Sequence, residues 1–532
     1  MTTRDDARSP LFAIFAIIGF VAFGFLSFHF LKLQNIWIDE STQLSGMTLP
    51  PHELLAWLSG VDLGRFGVPG DRMPPISYLV DHVGYLAFGN PATNMRILHW
   101  VITLMGLAVL TIAVRRSFGR GAALFALAML VLSPKLIEAS VEIRAYPLFF
   151  TEVCIMIALF LDLYADWNAT SGKKLFGFFA CGLVTIYTHF FGLVALSAMT
   201  AALGLRYLNN PSAIVRIVVG YGIVGLLFLG ILPFASGAVA MSQGPVIAEP
   251  RSLLAVATYF PRVLAASVNM VSPLSAILFF AGWLTLAIIA VASPLMRDGR
   301  QALRAPAVGL LIALIAGLAA TVLAYFVTDR FEPLKPSYSI WALPMLAVIA
   351  AAGVAELNFP AAWTRWFRDA GIASTLAGAA LASVVFFQDG RMFVHGPQKA
   401  LDRMIDEAGP STAVVYEQGA EWAWGYFPLR YTRGTTLAQW RSDKTGPHQI
   451  VALGWESLQP PTDVSALRGY HRLVVVNIAT KTFRDIRRFR DGAPTGLQPV
   501  VISAALAKDG WKLVRTQDVP GLYSASLSLY ER

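Results

Sequence analysis

Runs of about twenty apolar residues recur along the first three quarters of the chain, separated by short polar connectors. The pattern predicts spans at 11–31, 96–114, 121–137, 145–164, 174–189, 192–208, 213–236, 274–295, 305–327, 338–356 and 371–388, about eleven in all. The first run follows Arg4 and Arg8. It is too long for a secretory signal and no small-residue cleavage site follows it, so it reads as a retained span with a cytoplasmic N-terminus. Basic connectors then fall repeatedly on one side: Arg115, Arg116 and Arg120; Lys173 and Lys174; Arg206 and Arg216; Arg297, Arg300 and Arg304; Arg365 and Arg368. Positive charge marks that side as cytoplasmic, and an odd number of crossings places the C-terminal part outside. The stretch 75–89 is apolar but short and carries Asp81 and His82, which predicts an interfacial or re-entrant helix. Two connectors on the outer side are long, 32–95 and 237–272. Each holds an amphipathic piece, Pro51–Leu58 and Ser252–Val268, suited to lying at the lipid surface and roofing a cavity.

After Gln388 the pattern changes. Apolar stretches shrink to strand length at Thr412–Tyr416, Ile450–Leu453 and Leu473–Ile478, and helical periodicity appears at Pro397–Glu407, Gln418–Tyr426 and Pro499–Lys508. The last two strands, Trp511–Gln517 and Gly521–Tyr530, read as an antiparallel pair. The fold class is therefore an α-helical polytopic membrane protein, with a membrane-embedded part over 1–388 and a soluble external α/β domain over 389–532.

Composition agrees with this division. The chain of 532 residues is 56% hydrophobic and only 14% charged, which excludes a purely soluble protein. Its net charge of +9 would suggest nucleic acid on a soluble domain, but here it reports membrane topology, and no nucleic-acid partner is expected. Cys154 and Cys181 both fall inside expected spans, which excludes a disulfide framework.

Four clusters of chemistry-bearing residues gather on the outer side. Asp39 and Glu40 follow the first span directly, behind an interfacial Trp37. Such a pair is either solvated loop acid or a general base able to take the proton of an acceptor hydroxyl. Glu142, Arg144 and Tyr146 join the third and fourth spans, where an arginine either snorkels to the interface or grips a phosphate with its planar fork. His189 sits among aromatics in the hairpin Tyr187–Gly192, and Arg330, Lys335 and Tyr338 lie between two late spans. The cytoplasmic side has cations but no comparable acids, so this convergence points to a site.

The ordered blocks Trp37-Ile38-Asp39-Glu40, Met73-Pro74-Pro75-Ile76-Ser77-Tyr78 with Phe88-Gly89, Arg96-Ile97-Leu98, Arg115 to Arg120, Ser133-Pro134, Glu142-Ile143-Arg144-Ala145-Tyr146 and Tyr187 to Gly192 resemble glycosyltransferase family 39 and related GT-C membrane enzymes. That group includes protein O-mannosyltransferases and the lipid A aminoarabinose transferase. The resemblance covers about a third of the chain. It implies an inverting transferase that moves a sugar from a polyprenyl-phosphate donor to an acceptor hydroxyl outside the membrane. Asp39 would be the base, Glu40 a second positioning acid, and Arg144 a ligand of the donor phosphate, with His189, Arg330 and Lys335 beside it. Glu142, Tyr146 and Tyr338 would contact substrate. Family members often carry an Arg-Tyr pair entering the late span. Here Phe331 follows Arg330 and Tyr338 lies further on, so Lys335 takes that place in the expected phosphate clamp.

The expected partners are the lipid-linked donor, a glycan, lipid or protein acceptor, and the membrane, a bacterial inner membrane by the resemblance. Neighbouring carboxylates such as Asp39 and Glu40 could hold Mg²⁺ or Mn²⁺. The nearby cations can neutralise one phosphate themselves, so no cofactor or metal ligand is expected. The sixth to ninth spans and Ser252–Val268 would form the lipid-facing groove. Two readings compete. A transporter or lipid-sugar flippase would use the ionisable groups in or near spans, His99, Glu152 and Asp162, with Glu152 on a helix face similar to that of Arg144. A scaffold would bind glycan on Trp422, Trp424, Tyr426, Tyr431 and Trp440, which otherwise read as core.

Overall fold

The computed structural model describes residues 10–61, 71, 73–89, 91–168, 171–241, 254, 272–297, 304–328, 336–356, 362–409, 412–416, 428–429, 431–433, 467–479 and 502–532. The chain divides into two compact units. One comprises 1–29, 72–77 and 96–387; the other comprises 30–71, 78–95 and 388–532.

The first unit is a helical membrane body. It contains most of α1 (Pro10–Leu33) and α5 (Ala92–Phe118), then α6 (Arg120–Val131), α7 (Pro134–Ser140), α8 (Tyr146–Ala165), α9 (Ser171–Thr188), α10 (Gly192–Arg206), α11 (Pro211–Phe228), α12 (Leu232–Met241), α13 (Pro273–Arg297), α14 (Pro306–Thr328), α15 (Ala342–Ala355) and α16 (Ala362–Gln388). Each expected span falls largely on helix, yet among the described residues length and apolarity alone pick out fewer than eleven. Among the described residues seven helices are long and apolar enough to cross a membrane, or eight if α6 and α7, bent by 69° to each other, form one broken span. Helices α10 and α15 are shorter apolar helices, and α9, which carries Lys173 and Lys174 in its first turn, is not among the seven. The protein is an integral membrane protein. Helix α15 is buried along nearly its whole length, a core element without a lipid-facing stripe.

Small residues set the close approaches. A Cβ on Gly192, the first residue of α10, would lie 2.5 Å from the Thr185 carbonyl oxygen of α9, so only glycine lets the hairpin fold back this tightly.

In the second unit, α2 (Ile38–Gly46), α3 (Pro51–Leu58) and most of α4 (Pro75–Phe88) group with the C-terminal α/β fold. Helix α3 occupies the expected residues, with Pro51 at its start, where a missing N–H costs nothing. Helix α4 has fourteen residues, the short helix that the sequence led us to expect. Gly46 allows α2 to meet both: its Cβ would lie 2.5 Å from the Trp57 ring and 2.6 Å from the Tyr78 ring.

The C-terminal sheet has the order β1-β2-β4-β3, with β1 (Thr412–Tyr416), β2 (Arg472–Ile478), β3 (Lys512–Val519) and β4 (Ala525–Glu531). Strands β1 and β2 are parallel, and β4 pairs antiparallel with β2 and β3 as expected for the last hairpin. Period-two alternation feeds both faces. Val414, Tyr416, Val474 and Val476 pack with Leu401, Met404 and Ile405 of α17 (Gln398–Ala408). Ala413, Val415, Leu473 and Val475 pack with Ile502 and Leu506 of α18 (Ile502–Lys508) and with Trp511. Burial on both faces explains why β2 reads Leu-Val-Val-Val without polar interruption. The expected strand 450–453 and helix 418–426 lie outside the described residues, as does 252–268 except for Leu254.

The tight hairpin makes a sharp prediction. Gly192→Ala should destabilise the purified protein by about 1–3 kcal/mol, as overpacking generally does. Gly204→Ala, later on the same helix with nothing within 4 Å of the added carbon, should leave the melting temperature unchanged or slightly higher. Equal melting curves for both variants would contradict the packing described.

Candidate functional site

In the membrane unit the chemistry gathers on the bend between α7 and α8. Pro147 sits in the first turn of α8 and fixes the helix start at Tyr146, leaving 141–145 as non-helical backbone. Arg144 therefore precedes the helix and does not share a helical face with Glu152, contrary to the expectation from their spacing. Two α5 side chains hold the bend. Arg96 Nη1 donates to the Val141 carbonyl at 3.0 Å, and His99 Nδ1 lies 2.6 Å from the Glu142 carbonyl, to which it donates. The Arg144 N–H also donates to the Glu142 carbonyl, at 2.9 Å, closing a tight turn. Glu142 and Arg144 are both buried.

His189 lies in the α9–α10 connector inside an aromatic cage. Its ring stacks on Phe149 at 4.7 Å and 11°, meets Tyr338 edge-on at 5.3 Å, and has Tyr146 and Phe191 at 5.7 and 5.8 Å. Burial, and secondarily the positive charge of Arg144, pull its pKa down to about 3, so the imidazole is neutral at physiological pH. The Phe191 N–H donates to Nδ1 at 3.2 Å, which assigns the ring proton to Nε2. Among the described residues Nε2 is buried without a hydrogen-bond partner. Of the expected residues, the cage brings together Tyr146, His189 and Tyr338, with Arg144 close enough for its charge to act on the histidine. Arg330 and Lys335 lie outside the described residues.

Sequence reading missed one member of this neighbourhood. Lys135 is buried in α7, pairs with Glu138 at 3.1 Å and donates to Ser337 Oγ at 3.1 Å, next to Tyr338. A lysine inside an expected span was the available signal. The three ionisable groups that favoured a transporter have local partners instead. Glu152 accepts from Thr188 Oγ1 at 2.8 Å, Asp162 pairs with Lys174 at 3.0 Å, and His99 holds the bend.

In the other unit, Asp39 and Glu40 lie in the first turn of α2, where the helix dipole favours negative charge. Asp39 is half-buried and Glu40 fully buried. One turn on, Gln43 Nε2 donates to Asp81 Oδ2 of α4 at 2.7 Å, and the His82 ring nitrogen Nδ1 bonds the Met47 carbonyl at 2.7 Å. Tyr431 is half-buried, and its hydroxyl is pushed well above the usual tyrosine range by burial and by the negative charge of Glu40. Trp422, Trp424, Tyr426 and Trp440 lie outside the described residues.

A clasp from the C-terminal part fixes the entry to α2. The Trp37 ring stacks on His395 at 4.4 Å and 22°. Gln34 Oε1 accepts from the His395 N–H at 3.1 Å, Asn35 Nδ2 donates to the Gly396 carbonyl, and the Ile36 N–H donates to Gln398 Oε1 at 3.3 Å. Four successive residues ahead of the acids, Gln34 to Trp37, are thus tied down. Among the described residues no three or more His, Cys, Asp or Glu side chains gather as a metal site would require.

No protein-family model matches the sequence, and no curated protein matches it. Among solved structures the chain is similar to apo ArnT from Cupriavidus metallidurans, with a TM-score of 0.53 at 15% identity over 96% of this chain and 97% of that one. It is also similar to ArnT of that organism bound to undecaprenyl phosphate (TM-score 0.49, 16% identity, 97% of each chain). A further similarity is to arabinofuranosyltransferase AftD from Mycobacteria (TM-score 0.46, 15% identity, 98% of this chain and 40% of that one). At such identities the likeness is one of fold, and this chain has a GT-C-type membrane fold.

The clasp predicts that His395→Ala will speed amide exchange across 38–46 by roughly two- to tenfold, the equivalent of about 0.5–1.5 kcal/mol for a lost ring stack. His395→Phe should restore protection there. Unchanged exchange in the alanine variant would mean that the stack does not hold the acidic helix.

Proposed function

We propose that the protein is an inverting glycosyltransferase that moves a sugar from a polyprenyl-phosphate donor to an acceptor hydroxyl on the outer face of the membrane. The GT-C-type fold over nearly the whole chain supports the class. The observation that carries the site is the Arg144 bend: a buried guanidinium beside a neutral imidazole whose Nε2–H has no described partner. A phosphate monoanion or dianion suits such a pair, since guanidinium oxygen contacts are charge-assisted and planar.

In this reading Asp39 takes the proton of the acceptor hydroxyl, and the resulting oxygen attacks the anomeric carbon opposite the phosphate. The carbon–oxygen bond to phosphate breaks and its electron pair leaves with the polyprenyl phosphate. Arg144 and His189 Nε2–H stabilise the charge gathering on the leaving oxygens. Glu40 orients the acceptor or donor from the buried side of α2, and Tyr146 and Tyr338 wall the phosphate pocket. Lys135, already paired with Glu138, acts on Ser337 and so on the segment bearing Tyr338. Arg330 and Lys335 supply further charge to the donor, and Glu142 shapes the bend through its carbonyl.

Asp39→Asn should abolish transfer from a radiolabelled polyprenyl-phosphate sugar while leaving donor binding largely intact. Arg144→Ala should lower turnover by about 10²- to 10³-fold, the usual cost of removing one donor that stabilises developing charge. Near-normal turnover by the asparagine variant at normal protein level would remove the base assignment.

The depressed His189 pKa carries its own prediction. Folding stability from the neutral ring is fully present above about pH 6.5 and is lost as pH falls toward about 3, because the unfolded chain then binds the extra proton. His189 should therefore add no limb to the rate profile near pH 6–7. His189→Gln, which keeps an N–H donor, should retain that profile, whereas His189→Ala should lose turnover. A limb near neutral pH that vanishes in His189→Gln would contradict a neutral role.

A further inference from the structure

A charged cavity lies in the unit that carries the C-terminal domain, bordered by Asn35 and Gln398 of the clasp. It has a volume of about 640 Å³ and is lined by the cations Lys32, Arg391, Lys399 and Arg403 and the acids Asp402 and Asp518. Asp402 is already engaged: Arg433 Nε lies 3.1 Å from its Oδ1, Thr432 donates to the same oxygen at 3.1 Å, and Gln398 donates to its other oxygen. Its charge is largely answered within the fold, which leaves the cavity with an excess of cations over acids. Lys399 Nζ donates to the Lys32 carbonyl at 2.8 Å and holds two walls together.

Chain continuity places this cavity at the membrane surface. Lys32 is in the last turn of α1, and Arg391 follows the end of α16 by three residues, and both helices are among the seven able to cross a bilayer. Lys32, Arg391, Lys399 and Arg403 thus gather next to the ends of two helices apolar enough to lie in a bilayer. Leu33 and Val394 add an apolar wall to the same cavity. Cations at headgroup depth with apolar surface beside them match an anchored phosphate better than a free metabolite.

We propose that this cavity binds the phosphodiester of an anionic lipid headgroup, as a site separate from the Arg144 bend. Each cation near such a surface contributes about fivefold in affinity. The binding would brace the same 32–35 segment from which α2 departs, but the site stands whether or not the protein transfers sugar.

The test uses the full chain in detergent micelles, titrated with phosphatidylglycerol, with phosphatidylcholine and with soluble glycerol 3-phosphate, and read by native mass spectrometry and thermal shift. Phosphatidylglycerol should bind and raise the melting temperature, and phosphatidylcholine should not. Combined Lys32→Gln, Arg391→Gln and Arg403→Gln substitutions should weaken phosphatidylglycerol binding by roughly a hundredfold. Asp518→Asn should tighten it several-fold, an outcome that a folding defect cannot mimic. Binding of phosphatidylglycerol without glycerol 3-phosphate identifies a lipid source. Equal binding of both, lost in the triple variant, identifies a phosphate site open to soluble ligands. No preference for the anionic lipid, or unchanged affinity in the triple variant, would overturn the proposal.

Discussion

Burying a guanidinium inside a membrane protein is costly unless its surroundings are built to hold it, and the bend carrying Arg144 is built that way. Arg96 and His99 reach from α5 to two consecutive carbonyls of the bend, so backbone that leaves the helical pattern in an apolar body still has partners. Pro147 keeps α8 from absorbing the bend. The aromatic rings of Tyr146, Phe149, Phe191 and Tyr338 then enclose His189 beside it and keep that imidazole uncharged. A second cation at this point would repel the first. A neutral donor adds a hydrogen bond without that penalty, which is the physical case for histidine here.

The acidic helix obeys a different constraint. Glu40 is fully buried on α2, and Gln43, also on α2, reaches Asp81 on the short helix α4. The chain entering α2 is tied at Gln34, Asn35, Ile36 and Trp37 to 395–398, the approach to the C-terminal fold. That fold is rigid for an ordinary reason, a four-stranded sheet covered by α17 on one face and by α18 on the other. A C-terminal α/β fold that looks remote in sequence thus anchors the segment bearing the candidate base.

What could be read from sequence follows how local the signal is. Pro51–Leu58 and Thr412–Tyr416 occupy the residues their patterns indicate, because a proline start and a β-branched run between breakers are local facts. The fold class was legible for the same reason, since apolar length alone reveals a membrane body. The exact crossing count was less so: among the described residues seven or eight helices are long and apolar enough to cross, and α10 and α15 are apolar but short. Spacing alone puts Arg144 and Glu152 on one helical face, but α8 begins only at Tyr146, with Pro147 in its first turn, so that spacing does not apply. The clasp of Trp37 on His395 had no sequence signal, as its partners stand more than 350 residues apart. Lys135 is legible only as a charge in an apolar run, and its partners Glu138 and Ser337 emerge from the fold.

The central claim is that the Arg144 bend receives the phosphate of a lipid-linked sugar. A structure of the full chain with a bound polyprenyl phosphate tests it most directly. The account predicts phosphate oxygens at about 2.7–2.9 Å from the Arg144 guanidinium, with His189 Nε2 donating to one of them. A head group seated elsewhere, with Arg144 and His189 unchanged and out of its reach, would contradict it.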